Sequence, residues 1–271
     1  MTVKIDLVKK ANWVRAQTLL MHKTAPGVRI ASSLSPVEIF TSLFYGGLMQ
    51  FRPNEPQWPD RDRLVLSKGH GSLSIYPVLA DLGYIELHEL ERVGQPQSRL
   101  GIIPEPITPG IETTNGSLGH GLGVACGMAI ALKQLKKSQT IFVLCGDGEM
   151  NSGAIWEAVM FAARQKLDNL VVIVDDNKRS MLGYQKDIMG LDPLTEKLEA
   201  FGWSASEVDG HDVDALQEEL KKIKDKHSDQ PKALVAHTVK GHMVPELEAD
   251  PICHIRVVAP EVIDKTLKDW S

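Results

Sequence analysis

With 271 residues, 43% hydrophobic and 24% charged, the chain has ordinary globular composition, enough for one large α/β unit or two small domains. Its net charge of −5 argues against a general nucleic-acid binder, and no uncharged apolar run reaches the roughly 18 residues that a membrane span needs. Cys126, Cys145 and Cys253 form no CxxC pair and the N-terminus has no signal-peptide core, which predicts a soluble cytoplasmic protein without a zinc ribbon.

Ile5, Val8, Trp13, Leu19 and Leu20, set among Lys, Arg and Gln, predict a partly buried helix over 4–22. A second helix is expected to start at Ser35 as N-cap, with Pro36 first and Glu38 third, and to run to Leu48. The prolines of RPNEPQWPDRD (52–62) mark a loop, RLVLS (63–67) reads as a short buried strand, and KGHGS turns into the helix LSIYPVLADLG. Residues 94–118, rich in Pro, Gly and Thr, are too long for a simple connection and read as a functional loop. GLGVACGMAIALKQLKK is a small-residue helix suited to close packing. It fails as a dinucleotide fingerprint, because Cys126 holds the sixth position and a loop precedes it. From 140 onward TIFVLC, a helix over 152–166, NLVVIVD, a helix near 192–201, WSASEV, DVDALQEELKKIKD and ALVAHTV alternate. This pattern predicts an α/β fold: a doubly wound, mostly parallel sheet with helices on both faces. No repeat, low-complexity tract or linker interrupts it, so a single domain over 1–271 is the economical reading.

Two of these strands end unusually, one in Gly146-Asp147-Gly148 and the next in Asp-Asp-Asn at Asn177. In a parallel crossover both ends lie on one edge, where α/β sheets bind ligands. Asp147 and Asn177 are hard oxygen donors that suit Mg²⁺ or Ca²⁺ rather than zinc. The glycines let backbone approach a bulky anion, and the following helix offers free N–H groups to phosphate. Either piece alone is a common turn or a solvated loop; paired across one strand–helix–strand unit they read as a divalent-metal diphosphate site.

Gly-Asp-Gly, a helix and a strand ending in Asn are similar to the thiamine-diphosphate motif. LSKGHGS (66–72), TTNGSLGHGLGVACGMAIALK (113–133), EVDGHDVDAL (207–216) and TVKG (238–241) resemble, in order, segments of the transketolase diphosphate-binding domain. The resemblance covers essentially the whole chain. It implies binding of thiamine diphosphate with Mg²⁺ (or Ca²⁺ or Mn²⁺) and transfer of a two-carbon ketol unit from a ketose to an aldose. His70 and His254 are the implied catalytic histidines, both also touching the cofactor. Gly116, Ser117, Leu118, Gly146, Asp147, Gly148, Glu149, Asn177, Met181 and Lys240 are the other implied cofactor residues. Asp147, Asn177 and the Arg179 carbonyl are the implied metal ligands. Family members are longer, so the chain is expected to be the N-terminal subunit of a split transketolase. It would be inactive without a C-terminal subunit carrying the pyrimidine-binding domain, and is expected to self-associate in a heterotetramer with it, the helix over 121–132 being a dimer-contact element.

Three departures stand out. Arg29 and Ile103 replace two family histidines that bind sugar hydroxyls, so Arg29, Ile103 and His254 are expected to line a site for a sugar other than the usual pentose phosphate. Ser152 replaces a Glu that usually links the two active sites of the dimer. The alternatives are a subunit of another thiamine-diphosphate enzyme of the 2-oxo acid dehydrogenase type, or a non-catalytic regulatory homologue. The nine histidines and three cysteines show no close pair beyond Cys253-His254, so no zinc site is expected.

Overall fold

The computed structural model describes residues 5–226 and 228–270. In chain order, helices α1 (Leu7–Thr24), α2 (Ile30–Leu34) and α3 (Val37–Tyr45) precede strand β1 (Arg63–Leu66) and helices α4 (Ile75–Asp81) and α5 (Gly121–Gln134). Then come β2 (Ile141–Gly146), α6 (Gly153–Arg164), β3 (Leu170–Asp176), α7 (Gln185–Met189), α8 (Leu194–Ala200) and β4 (Ser204–Asp209). The last elements are α9 (Val213–Asp225), β5 (Lys232–His237), α10 (Pro245–Ala249) and α11 (Pro260–Asp269). The five strands form one sheet in the order β1-β2-β3-β5-β4, and every neighbouring pair is parallel.

Alternation along each strand explains the layering, because successive side chains leave a strand on opposite faces. Phe142, Leu144, Val171, Ile173, Leu234 and Ala236 enter the core beneath α1, α3, α4 and α9. Ile141, Val143, Val172, Val174, Ala233 and Val235 enter the opposite core, beneath α5, α6 and α8. The strands therefore read as unbroken apolar runs, as sheets covered on both sides do. A third, smaller cluster joins Leu19 of α1 to Ile30, Ala31 and Leu34 of α2 and to Leu247, Cys253 and Ile263 near the end of the chain. No α-helix or strand falls between Val93 and His120, as the run of Pro, Gly and Thr predicts.

The first 45 residues differ from expectation. The first helix forms, capped by the Asp6 side chain, but Ile5, Val8 and Leu20 are exposed while Arg15, Thr18 and His22 are buried. Polar partners decide this face. Arg15 pairs with buried Glu38, Thr18 bonds the Val14 carbonyl, and His22 Nε2 accepts the Val258 N–H at 3.0 Å. The second helix is preceded by α2, which the sequence did not announce, and it ends at Tyr45 rather than Leu48. Ser35 caps nothing: its hydroxyl is buried and donates to Asp175 Oδ2 at 2.6 Å. Adjacent leucines of α1 test the corrected face. Leu19→Ala removes a fully buried side chain and is expected to cost about 2–5 kcal/mol, whereas Leu20→Ala, at 39% exposure, should cost under about 1 kcal/mol. Urea unfolding midpoints of the two variants check this.

Candidate functional site

All five strands point their C-terminal ends at one edge, and four of the following turns meet there. β1 runs into Ser67-Lys68 and the single 3₁₀ turn Gly69-His70-Gly71; β2 into Asp147-Gly148-Glu149; β3 into Asn177; and β5 into Thr238 through Gly241. The turns are held by one buried charge pair. Asp175, fully buried, accepts from Lys68 Nζ, from the Ser35 hydroxyl and from the Thr238 hydroxyl. Lys68 Nζ also donates to the Ser32 carbonyl at 3.0 Å and the Ser35 hydroxyl at 3.1 Å. These bonds hold the Asp175 carboxyl below its usual range although burial alone would raise it. The glycines of the turns make room for Lys68. A Cβ on Gly71 would lie 2.7 Å from Lys68 Cε, and one on Gly146 3.3 Å from Lys68 Cγ.

Asp147 sits opposite this pair with a different fate. It is 6% exposed; Oδ1 accepts the Gly148 N–H at 2.8 Å, and Oδ2 is buried without a hydrogen-bond partner. Burial, with the neighbouring Asp175 and Asp176, pushes its carboxyl up to about 7. An orphaned buried oxygen of this kind fits a cation, whose own charge would reverse that shift. Asn177, 5% exposed, follows at the end of β3, and its Oδ1 accepts the Arg179 N–H at 3.2 Å. Lys178 adopts a left-handed φ of +59°, which bends the chain sharply between Asn177 and Arg179. Ser180 then comes to rest 3.8 Å from where a Gly148 Cβ would be, so the two turns touch.

The third expected metal ligand, the Arg179 carbonyl, accepts from Lys240 Nζ at 3.0 Å, and Lys240 reaches the Ser180 carbonyl at 3.2 Å as well. Such an oxygen keeps a second lone pair. Lys240 is nearly buried and lowered to about 8, first by burial and then by Lys68. Arg179 itself reaches away: its guanidinium donates to the carbonyls of Leu247, Glu248 and Asp250 and lies 5.3 Å from the Tyr184 ring centre. It thereby ties the Asn177 turn to the segment that delivers His254.

His254 Nδ1 lies 3.1 Å from the Ser32 hydroxyl. Burial, then Lys240, Arg29, Lys68 and His70, hold the imidazole down at about 3. His70 is lowered by burial and by Arg29. His254 thus lies within electrostatic reach of Lys240, Arg29 and His70, although 225 positions separate Arg29 from His254. The Arg29 guanidinium makes no hydrogen bond or ion pair among the described residues. Ile103 joins them: a Cβ on Gly69 would meet its Cγ2 at 3.3 Å, and one on Gly116 its Cδ1 at 3.2 Å. Gly116 has φ +110°, a backbone form that favours glycine. Ser117 and Leu118 are exposed beside it, and Met181 is exposed on the far turn.

The Glu149 side chain is turned into the protein. Its Oε1 accepts from the Ser67 hydroxyl and the Gly119 N–H, and its Oε2 accepts the Gly146 N–H at 3.2 Å. With both oxygens engaged inside the protein, its side chain braces the turns from behind. Ser152 opens α6 and packs on Gly119, where a Cβ would lie 2.2 Å from its hydroxyl. Sequence reading missed Lys68, Ser32, Ser35, Asp175 and Thr238. The available signals were a lysine directly after an apolar strand and one carboxylate more than a metal site requires in Asp-Asp-Asn. It also missed the cluster of Glu38, His211 and His242. His211 accepts the Val239 N–H on Nε2 and so donates to Glu38 from Nδ1, which leaves that ring no lone pair for a metal.

The transketolase thiamine-diphosphate-binding-domain family matches residues 11–270. The chain belongs to the transketolase family. Among its relatives, the A subunit of the apulose-4-phosphate transketolase of Actinobacillus succinogenes is 38% identical over 97% of this chain and 95% of that protein. The 6-deoxy-6-sulfo-D-fructose transketolase subunit SqwG of a Clostridium species is 39% identical over 88% and 86% of the two chains. The crystal structure of Campylobacter jejuni transketolase superposes with a TM-score of 0.91 at 31% identity, covering 99% of this chain and 43% of that one. This chain thus spans less than half of that solved transketolase but nearly the whole of the apulose-4-phosphate relative.

Asp147 yields a test with opposite signs for stability and binding. Its folded pKa is raised, so the metal-free fold is stabilised at low pH and loses that contribution as pH rises through about 7. Asp147→Asn is expected to raise the melting temperature of the bare chain at pH 8 and to leave it little changed at pH 4. The same variant should abolish any further rise on adding MgCl₂ with thiamine diphosphate. Thermal denaturation of both proteins at the two pH values checks each sign. Lys68→Met leaves Asp175 buried without its cation and is expected to cost about 3–5 kcal/mol, read from denaturant unfolding.

Proposed function

We propose that this chain is the cofactor-binding subunit of a two-component transketolase that moves a two-carbon ketol unit from a modified ketose to an aldose. The observation that carries the reading is the buried, unpartnered Asp147 Oδ2 at the strand edge, beside Asn177. With the Asn177 side chain and the Arg179 carbonyl, it would hold the Mg²⁺ of a bound diphosphate. Thiamine diphosphate, when bound, supplies an acidic ring carbon and an electron sink for carbon–carbon cleavage.

The chain's own residues bind, orient and handle protons. His70, Lys240 and the N–H groups around Gly148 would hold the diphosphate. Gly116, Ser117, Leu118 and Met181 border the space left for the rings. Leu118 and Met181 are 46% and 54% exposed, an arrangement that suits burial against the cofactor and a second subunit. His254, kept neutral by burial and then by cationic neighbours, and oriented by Ser32, offers a ring nitrogen to a substrate hydroxyl. An arriving anion would raise the affinity of both His70 and His254 for a proton.

Support for a partner comes from the two relatives, each named as one subunit of a transketolase and each matched over most of its length. We assign the partner the pyrimidine-binding domain and the acid that activates the cofactor. Gly123, Val124 and Gly127 leave an open small-residue face on α5 beside Met160 and Phe161 of α6. That face suits self-association into a heterotetramer with two copies of each subunit. Three buried free cysteines suit the cytoplasm, and among the described residues no helix is long and apolar enough to cross a membrane.

The substrate reading rests on Arg29 and Ile103. A guanidinium without a partner among the described residues and an apolar side chain, in place of two histidines, favour a ketose with an altered skeleton and a negative group over one recognised through many hydroxyls. The two relatives carry the names of transketolases for apulose 4-phosphate and for 6-deoxy-6-sulfo-D-fructose. Ketol transfer is to be measured for the chain alone, for the chain with its partner, and across a panel of branched, deoxy and sulfonated ketoses with xylulose 5-phosphate as reference. Activity is expected only with the partner, and higher kcat/KM on a modified ketose than on the pentose phosphate. Full turnover by the chain alone refutes the two-component reading. Arg29→Met should raise KM for the preferred anionic ketose by about 10-fold or more, the value of a charge-assisted hydrogen bond, with a smaller effect on kcat.

A further inference from the structure

The opposite edge of the sheet holds a second concentration of positive charge. A cavity of about 380 Å³ is lined there by Lys133, Lys137, Lys224, Lys226 and Lys232, with the hydroxyl residues Ser138 and Thr140. Thr140 precedes β2 and Lys232 opens β5, so the cavity lies at the N-terminal ends of the strands, roughly 20 Å along the sheet from the Asp147 edge at about 3.3 Å per residue.

Three of the five ammonium groups are neutralised within the protein: Lys133 by Asp168, Lys137 by Asp60 and Lys224 by Asp62. The other two are not. Among the described residues, Lys226 meets only the Ser204 hydroxyl, at 2.8 Å. Lys232 is 5% exposed, and among the described residues its ammonium makes no hydrogen bond or ion pair. Its side chain leaves β5 on the same face as Leu234 and Ala236, beneath α9, whose last turn brings Lys224 to the cavity. A surface lysine loses little by lacking a partner. The Lys232 stem is covered by the sheet and α9 while its ammonium opens onto the cavity, with no carboxylate in bonding range among the described residues. Burial accordingly pushes Lys232 below the usual lysine range, with Lys226 acting in the same direction and Asp168 and Asp225 opposing it.

Two ammonium groups without an ion-pair partner among the described residues, on one concavity, match a dianion, and the two hydroxyl residues supply neutral donors to the remaining oxygens. The volume exceeds that of a bare oxyanion and leaves room for a small carbon skeleton. We propose that this cavity binds a phosphate dianion, either free or borne as a monoester by a small molecule. The proposal stands independently of the reading of the Asp147 edge.

The test uses the full chain, titrated at matched ionic strength with potassium phosphate, glycerol 1-phosphate or potassium chloride. Calorimetry and melting temperature are the readouts. Saturable binding and a raised melting temperature are expected with at least one phosphate compound and not with chloride; the tighter of the two phosphate compounds names the source. Lys232→Met should weaken binding by about 10-fold or more, and Lys226→Met should weaken it as well. Without phosphate, Lys232→Met is expected to be as stable as the parent, because it keeps the covered stem and removes no hydrogen bond or ion pair, so a folded variant is at hand. His70→Ala, at the other edge, should leave the response intact. An equal response in Lys232→Met, an equal response to chloride, or a loss confined to His70→Ala would overturn the proposal.

Discussion

The ion pair between Lys68 and Asp175 is the constraint on which the upper edge of the sheet depends. A fully buried carboxylate needs donors, and here they come from three places in the chain: Ser35 between α2 and α3, Lys68 after β1 and Thr238 after β5. Lys68 in turn ties in the Ser32 carbonyl. None of these partners can relax without exposing another to an uncompensated charge. The turns that carry His70, Asn177 and Lys240 are consequently fixed relative to one another by chemistry that touches no ligand. Glu149 does the same on the other side, joining Ser67, Gly119 and Gly146 through one carboxylate.

Two carboxylates one strand apart are thus given opposite environments. Asp175 is surrounded by donors and stays ionised. Asp147, at the end of β2, has one N–H on Oδ1 and nothing on Oδ2, in the field of Asp175 and Asp176. The fold stabilises the first and leaves the second strained, and a stored deficit of this kind is what a cation relieves. The same logic, reversed in sign, applies to His254, which burial and then cationic neighbours keep neutral until an anion arrives.

Much of this was legible in the sequence because parallel sheets write themselves plainly. A strand buried on both faces is a continuous apolar run, so its polar termination at Asp147 or Asn177 is conspicuous, and the alternation from 140 onward gives the order of elements directly. Burial that depends on distant partners leaves no local trace. Arg15 and Thr18 read as surface residues of α1 until Glu38 and the helix's own carbonyls are in place. Ser35 has the sequence of a helix cap, yet its hydroxyl is claimed by an aspartate 140 residues away. Lys68 looks like an ordinary turn lysine because the pocket that receives it is assembled from glycines in two separate motifs.

Ile103 has a consequence for how such an enzyme diversifies. Its side chain borders the proposed substrate space and at the same time fills the gap between Gly69 and Gly116, two glycines of separate turns. A replacement that retunes sugar preference also repacks the turns that frame the cofactor. Evolutionary drift at this position is therefore epistatic: a polar or bulkier residue becomes acceptable only after its two backbone neighbours have shifted. New specificities in this lineage should arise through linked sets of changes in the 103, 69 and 116 segments, and a single exchange at 103 would be a poor starting point for directed evolution.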